Sequence, residues 1–275
     1  MLIYGKEIRD RLKEEIRQEA MKNTMSMVIV RVGDDPSSLS YVRGISKFAE
    51  ETGVKAEILN LPEDASENEV IKCIRKLNND TGLTGIMLQT PLPKHLDANR
   101  LVNLIDYNKD VEGIHNYNLG KLISKEEGVK PATPKAVISM LKAYDIALEG
   151  KKVTIIGRSM TVGSPLAVMM TGENCTVTLC HSKTRDLQKE ALNADILVAA
   201  IGKQEFVTPD MVNEDTVIID VGINFDAQGK MFGDVHSEAS AKARMASAVP
   251  GGVGMITVAE LFDNLRVLSR NQARF

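Results

Sequence analysis

A glycine-rich turn between an apolar strand and a helix is the sharpest chemical signal in the sequence. The segment runs Val153-Thr-Ile-Ile-Gly157-Arg-Ser159 and continues through Met-Thr-Val to Gly163. Gly157 permits a tight turn and a close backbone approach, and Gly163 lets the following helix pack closely on the strand. Free N–H groups and the dipole at the start of that helix attract a pyrophosphate. Because Ser159 replaces the usual second glycine, the motif is a variant dinucleotide-binding turn, and a turn without a ligand is the alternative.

The end of the next strand indicates which dinucleotide fits. An NAD-binding sequence usually carries an acidic residue about 20 positions further on, where it holds the ribose hydroxyls. Here the strand ends in Cys180-His-Ser182-Lys183, and Arg158 lies inside the turn. A guanidinium and a hydroxyl would therefore meet a 2′-phosphate, and this favours NADP over NAD. Lys183 is either a third partner of that phosphate or a solvated surface charge.

Length and composition exclude several classes of protein. A chain of 275 residues is long enough for two domains, each with its own core. The 34 Lys+Arg against 37 Asp+Glu give a formal net charge of −3, which is too even for a nucleic-acid binder. Three cysteines without a CxxC pair, a charged N-terminus and apolar runs of strand length predict a cytoplasmic protein without a secretion signal or membrane span. The four histidines lack metal-ligand spacing, so no metal is predicted.

Strands and helices alternate along the whole chain and predict an α/β protein. The N-terminal half is predicted to contain helices from Lys6 to about Met21, about Ser38 to Glu51, Ser66 to about Leu77 and about Asp97 to Ile105, strands at Met25–Val32, Ala56–Leu61 and Gly85–Gln89, and a turn at Gly33–Ser38. The second half has four uninterrupted apolar runs typical of a covered parallel sheet, at Val153–Ile156, Thr176–Cys180, Ile196–Ala200 and Val217–Val221. A last helix, from about Thr257 to Arg270, is predicted to pack back on the first domain. The polar segment from Lys109 to Asn118 is predicted to be a functional loop.

The glycine-rich turn and the end of the next strand belong to a larger set of motifs. These motifs follow one another along nearly the full length of the sequence. They are Val32-Gly-Asp-Asp-Pro-Ser-Ser, Tyr41, Leu88-Gln89-Thr-Pro-Leu-Pro, Lys109-Asp-Val-Glu-Gly, Gly157-Arg-Ser, Cys180-His-Ser-Lys-Thr184, Asp220-Val-Gly-Ile-Asn224 and Pro250-Gly-Gly-Val-Gly254. This set resembles the bifunctional methylenetetrahydrofolate dehydrogenase/methenyltetrahydrofolate cyclohydrolase family.

The resemblance implies a two-domain homodimer that acts on tetrahydrofolate one-carbon derivatives. A folate-binding catalytic domain would span residues 1–133, completed by a C-terminal helix at 257–275, and a Rossmann-like NADP-binding domain with a parallel sheet would span 134–256. The first reaction passes a hydride from the methylene bridge of the folate to the nicotinamide. The second adds water to the resulting methenyl cation and opens it to 10-formyltetrahydrofolate.

The resemblance also assigns roles to individual residues. The catalytic residues would be Tyr41, Gln89 and Glu112, and the substrate-binding residues would be these three with Leu88, Pro250 and Gly251. The coenzyme would be bound by Gly157, Arg158, Ser159, Gly163, Ser182 and Ile223.

The sequence departs from the family pattern at three places. The family's cyclohydrolase uses a lysine four residues after its active-site tyrosine, and this position is Ile45 here. Lys47 is the nearest lysine, but six residues after Tyr41 it points to another face of the helix. Glu112 stands where the family usually has aspartate to hold the pterin's amino group and ring N–H. Met255-Ile256 replaces the common Pro-Met.

These departures predict a dehydrogenase whose cyclohydrolase activity is strongly weakened or absent, because isoleucine can neither donate nor accept a proton. Two alternatives stay open from the sequence. In the first, the protein keeps both activities, with water and other side chains moving the protons. In the second, it is a paralog that binds folate or nucleotide without turnover.

Overall fold

The secondary structure alternates as expected in the computed structural model, which describes residues 1–34, 36–226 and 228–272. The strands are β1 Leu2–Ile3, β2 Ser26–Val32, β3 Lys55–Leu61, β4 Gly85–Leu88, β5 Lys152–Ile156, β6 Thr176–Cys180, β7 Ile196–Ala199, β8 Val217–Asp220, β9 Asn224–Phe225, β10 Met231–Phe232 and β11 Met245–Ser247. The helices are α1 Lys6–Ala20, α2 Pro36–Thr52, α3 Glu67–Asn78, α4 Ala98–Val102, α5 Asn116–Ser124, α6 Ala132–Ala143, α7 Gly163–Gly172, α8 Leu187–Leu192, α9 Ser237–Lys242 and α10 Val253–Gln272, with a 3₁₀ turn at Pro209–Met211. Among these residues, no helix is long and apolar enough to cross a membrane.

One compact unit, here called the six-strand unit, consists of Met1–Asp10 and Thr133–Thr257. Its main sheet has the order β1-β11-β8-β7-β5-β6, and every neighbouring pair is parallel. Apolar side chains from β5, β7 and β8, such as Ile156, Leu197 and Ile218, form a buried core. The predicted α/β class with a parallel sheet is confirmed. Within this sheet, β6 lies on one side of β5, and β7 and β8 lie on the other.

The first ten residues differ from the predicted domain organisation. We predicted residues 1–133 as one domain, whereas Met1–Asp10 group with the six-strand unit. The physical reason is β1, which pairs in parallel with β11 through Leu2 and Ile3. A strand of two residues is too short for hydrophobic periodicity to reveal.

The other compact unit, the three-strand unit, consists of Arg11–Ala132 and the chain from Val258 onward. Its parallel sheet has the order β3-β2-β4. Successive side chains of β2 enter two different cores, as the period of a strand requires. Met27 and Ile29 pack with residues of α2 and α10, and Val28 and Val30 pack with residues of α3 and α4. Both faces of this central strand are therefore covered.

Some element boundaries differ from the prediction. Helix α2 begins at Pro36 rather than Ser38, and α10 begins four residues before Thr257, inside the glycine-rich segment. Helix α5 was not predicted, because polar and glycine residues interrupt its apolar pattern; His115 caps it by accepting the N–H of Tyr117 at Nδ1. Asp35 of the predicted turn and residues 273–275 of the predicted C-terminal segment lie outside the described residues.

Candidate active site

The loop that carries Glu112 runs along β4 like a short additional strand. The N–H of Ile86 donates to the carbonyl oxygen of Lys109 at 2.7 Å, and Ile86 and Asp110 form a parallel bridge. Because both segments run in the same direction, Glu112 approaches the carboxyl end of β4, where Leu88 is the last residue. Leu88 itself is fully buried in the core beneath α3. Its side chain therefore contributes to packing, and the predicted contact of Leu88 with substrate stays a prediction.

A buried carboxylate that the sequence analysis missed holds this loop in place. Asp110 accepts the N–H of Gly113 at 3.0 Å, the N–H of His115 at 2.8 Å and the side-chain amide of Asn118 at 2.8 Å. Burial raises the pKa of Asp110, and these hydrogen bonds oppose the rise. The available signal was an acidic residue at the start of a polar, glycine-containing loop, where such side chains commonly accept backbone N–H groups.

Helix α2 places Tyr41 and position 45 one turn apart on one face. Tyr41 is partly buried and packs against the core that contains Ile45 and Phe48. Ile45 is fully buried, whereas Lys47 is exposed. The position at which the resemblance leads us to expect an ammonium group is thus occupied by a hydrocarbon side chain, and the nearest lysine lies on another face.

The electrostatics of Tyr41 and Glu112 are coupled. Burial raises the pKa of Tyr41, and the charge of Glu112 raises it further. Burial and, second, the charge of Asp110 raise the pKa of Glu112 to about 8. At neutral pH both side chains therefore keep their protons, and each can donate one hydrogen bond and accept others.

Gln89 follows β4 directly and is buried. Its Nε2 donates to the carbonyl oxygen of Thr90 at 2.5 Å. Among the described residues, no donor reaches its buried Oε1. A buried amide oxygen without a partner is costly, so this atom is an acceptor available to a ligand or a neighbouring donor.

In the six-strand unit, the turn after β5 has the backbone geometry that a pyrophosphate requires. Gly157 has a φ of +118°, and a Cβ there would collide with the carbonyl oxygen of Ala200. A Cβ on Gly163 would collide with the carbonyl oxygen of Gly157. Only glycine fits at both positions, so α7 begins directly against the turn. This cradle fits a dinucleotide whose phosphates meet the start of α7.

The residues predicted to bind the 2′-phosphate lie in the turns after β5 and β6. Ser159 Oγ accepts the N–H of Val162 at 3.1 Å, so this residue shapes the turn itself. Arg158, in the turn, and Ser182, after β6, are both exposed and available to a ligand. In the turn after β6, Thr184 Oγ1 accepts the N–H of His181 at 2.8 Å.

Three further predicted residues lie at the carboxyl end of the same sheet or near it. Ile223 follows β8, has 51% of its surface exposed and lies beside the start of α10. Gly251 has a φ of +106°, and its carbonyl oxygen accepts the N–H of Gly5 at 2.8 Å. Pro250 precedes it and is exposed.

The predicted residues therefore form two sets. Tyr41, Gln89 and Glu112 belong to the three-strand unit, and the charge of Glu112 raises the pKa of Tyr41. The coenzyme residues, with Pro250 and Gly251, belong to the six-strand unit.

Comparisons with known proteins cover both units. The tetrahydrofolate dehydrogenase/cyclohydrolase catalytic-domain model matches residues 3–112, and the model of the same family's NAD(P)-binding domain matches residues 131–273. The bifunctional protein FolD 2 of Syntrophomonas wolfei is 71% identical over 270 residues, which are 98% of this chain and 99% of that protein.

Two crystal structures are similar throughout. The bifunctional FolD of Campylobacter jejuni has a TM-score of 0.94 at 38% identity, over 98% of this chain and 99% of that one. The methylenetetrahydrofolate dehydrogenase-cyclohydrolase of Trypanosoma brucei, complexed with NADP cofactor and an inhibitor, has a TM-score of 0.94 at 27% identity, over 100% and 99%. With both of its halves matched, the chain belongs to the tetrahydrofolate dehydrogenase/cyclohydrolase family.

Proposed function

We propose that this chain is an NADP-dependent methylenetetrahydrofolate dehydrogenase whose cyclohydrolase step is strongly weakened or absent. The comparisons confirm the predicted family, the dehydrogenase activity and the coenzyme. The further proposal, the loss of the second reaction, is carried by one observation. Ile45, one helical turn from Tyr41, is fully buried in hydrocarbon.

The dehydrogenase reaction converts 5,10-methylenetetrahydrofolate and NADP⁺ to the methenyl cation and NADPH. NADP, when bound, supplies the hydride acceptor. The protein has to hold the donor carbon against the nicotinamide, and this needs positioning more than proton transfer. We assign the phosphates to the Gly157–Gly163 cradle and the 2′-phosphate to Arg158 and Ser182.

Pterin recognition belongs to the three-strand unit in this proposal. Tyr41 borders the folate rings, and Glu112 binds the pterin's amino group and ring N–H; these two donors favour the ionised carboxylate, so pterin binding lowers the pKa of Glu112. Gln89 offers its unpartnered Oε1 as an additional acceptor. Because Glu112 is longer than aspartate by one methylene group, the pterin is displaced or the loop adjusts to it.

Hydration of the methenyl cation makes a different demand. It needs a side chain that exchanges protons with water and with the folate nitrogen, and such groups typically contribute about 10²-fold to 10⁴-fold to a rate. Ile45 cannot do so, and burial raises the pKa of Tyr41, so this phenol keeps its proton at neutral pH. The methenyl cation therefore leaves the site unhydrolysed or reacts slowly.

We further propose that the protein is a cytoplasmic homodimer. Cys73, Cys175 and Cys180 are free thiols, as expected in a reducing compartment. Strand β3 pairs with β2 alone within the described sheet, so one edge is open, and its Ile58 is 38% exposed. An open edge with an apolar residue is a surface that a second copy can cover.

Paired assays of the two half-reactions test this function. The protein is mixed with methylenetetrahydrofolate and NADP, and NADPH formation is followed; separately, decay of methenyltetrahydrofolate is compared with decay in buffer and with a bifunctional relative. We expect NADPH formation without accelerated decay. Decay at the relative's rate would establish the fully bifunctional alternative. Absence of NADPH, with folate still bound, would establish the non-catalytic alternative.

A further inference from the structure

Two buried carboxylates at the carboxyl end of the six-strand sheet have no part in the function described above. They are Asp220, the last residue of β8, and Asp234, which follows β10; 5% and 0% of their surfaces are exposed. A buried carboxylate is costly unless hydrogen bonds compensate it, so the donors that surround these groups indicate what they hold in place.

Asp234 organises the loop that follows β7. Its Oδ2 accepts the N–H of Ile201 at 2.7 Å and of Gly202 at 3.0 Å, and its Oδ1 accepts the N–H of Lys203 at 2.8 Å. Three consecutive N–H groups around one anion form a nest, here with Gly202 at a φ of +65°. The side chain of Asn224 donates to the same Oδ1 at 3.0 Å. One carboxylate thus links the loop after β7 with the segment after β8.

Asp220 holds Asp234 in turn. Its Oδ1 accepts the N–H of Asp234 and of Gly222, both at 2.9 Å, and its Oδ2 accepts the N–H of Val235 at 3.0 Å. A Cβ on Gly222 would collide with the carboxylate of Asp234. The cluster is therefore packed to a fixed geometry.

The loop that Asp234 fixes touches the phosphate cradle. A Cβ on Gly157 would collide with the carbonyl oxygen of Ala200 and would come within 3.2 Å of Ile201 Cγ2. The second strand of a dinucleotide-binding fold, here β6, serves the adenosine ribose. Because β7 and β8 lie on the opposite side of β5, the loops after them face the part of the dinucleotide beyond the pyrophosphate. That part is the nicotinamide half.

We propose that Asp234 is a positioning residue for the nicotinamide half of NADP. It touches no reacting atom; it fixes Ile201–Lys203 and, through Asn224, the neighbouring Ile223. The inference rests on the NADP assignment of the proposed function. It differs from a general stabilising role because it predicts that one half of the coenzyme is affected and the other is not.

The variant Asp234→Asn tests this, since it keeps the size of the side chain but turns one acceptor into a donor that faces N–H groups. Binding of NADP and of adenosine 2′,5′-bisphosphate, which lacks the nicotinamide half, is measured by titration calorimetry on the full-length protein. We expect the Kd for NADP to rise about tenfold while the Kd for the bisphosphate changes by less than about twofold.

Two further variants complete the test. Asp195→Asn is the matched control, because Asp195 accepts a backbone N–H, that of Lys152 at 2.8 Å, in the same unit; it should change neither Kd. Asn224→Ala removes one hydrogen bond to Asp234 and leaves the three N–H groups of the nest in place. It should raise the Kd for NADP by about threefold and leave the Kd for the bisphosphate unchanged. This second variant keeps the test possible if Asp234→Asn does not fold.

Equal weakening of both ligands by Asp234→Asn, or NADP binding unchanged in both variants, would overturn the inference and leave the NADP assignment intact. If the unaltered protein bound neither ligand, the NADP assignment itself would be wrong, and the inference would fall with it.

Discussion

In the proposed function, the side chain at position 45 decides which reactions the site can perform, because it lies one helical turn from Tyr41. Ile45 belongs to the buried core of the three-strand unit. A helical pattern of apolar residues in α2 predicts this burial from the sequence alone. That the position has a chemical role in relatives is visible only through the family resemblance, since an isoleucine on an apolar face carries no functional signal of its own.

Ile45→Lys tests the role of the missing ammonium group. We expect hydrolysis of methenyltetrahydrofolate to rise by at least about tenfold, since a positioned proton-transfer group typically contributes that much or more. The apparent thermal midpoint should fall, because the charge enters a hydrophobic core. Ile45→Met is the matched control, with similar volume and no charge, and should leave hydrolysis unchanged. A folded Ile45→Lys variant without any gain would show that other parts of the site are also lost.

Glu112 gives the stability of the protein a defined pH dependence. The unfolded chain releases this proton near the ordinary pKa of 4.5, whereas the folded protein keeps it to about 8. Between these values the unfolding free energy therefore falls as pH rises, by at most about 1.4 kcal/mol per pH unit.

Glu112→Gln removes this dependence and keeps the size of the side chain. The thermal midpoint of the variant minus that of the unaltered protein should increase as the pH rises from about 5 to about 8. The size of this increase should correspond to the ionisation of one group. Other groups that titrate in this window, such as Asp220 with a pKa raised to about 6, are present in both proteins and cancel. A constant difference between the two midpoints across this range would show that Glu112 ionises normally.

At the level of elements, the strands and helices that hydrophobic periodicity and glycine spacing indicate could be predicted from the sequence. Strands β2, β5, β7 and β8 are apolar runs buried on both faces, and their types were predicted correctly. The two-residue strand β1 was missed, because its partner β11 lies more than 240 residues away in the chain. The role of Asp234 was missed for a similar reason, since its donors come from segments about 10 and 30 residues earlier.

The turn after β6 is the element that should select the coenzyme. Ser182→Asp places a carboxylate where an NAD-binding relative of this fold usually has one. We expect the KM for NADP to rise at least about tenfold, through repulsion of the 2′-phosphate, and the preference for NADP over NAD to fall accordingly. Initial rates with both coenzymes measure this. Ser124→Asp, which adds the same charge at an exposed position in the other unit, is the control; an unchanged preference in Ser182→Asp would remove Ser182 from the site.

At the level of the whole molecule, the chain divides into two units that each use a parallel sheet, and neither unit is a continuous stretch of sequence. Residues 1–10 belong to the six-strand unit, and the chain from Val258 onward belongs to the three-strand unit. The return was predicted, and Phe262, Leu265 and Leu268 of α10 lie in the core of the three-strand unit. The grouping of residues 1–10 with the six-strand unit was not predicted, because so short a segment shows no clear hydrophobic periodicity.

The open edge of β3 makes the oligomeric state testable with a single substitution. Lysine on an exposed edge strand opposes edge-to-edge association, because its charge would have to be desolvated in the interface. We expect Ile58→Lys to raise the dissociation constant of the dimer by at least about tenfold in sedimentation equilibrium, with little change in the far-ultraviolet spectrum. Ile123→Lys is the matched control, since Ile123 is 69% exposed on α5 and lies outside the strand edge. A dimer that is unaffected by Ile58→Lys but weakened by Ile123→Lys would move the interface from β3 to α5, and a monomeric unaltered protein would contradict the homodimer altogether.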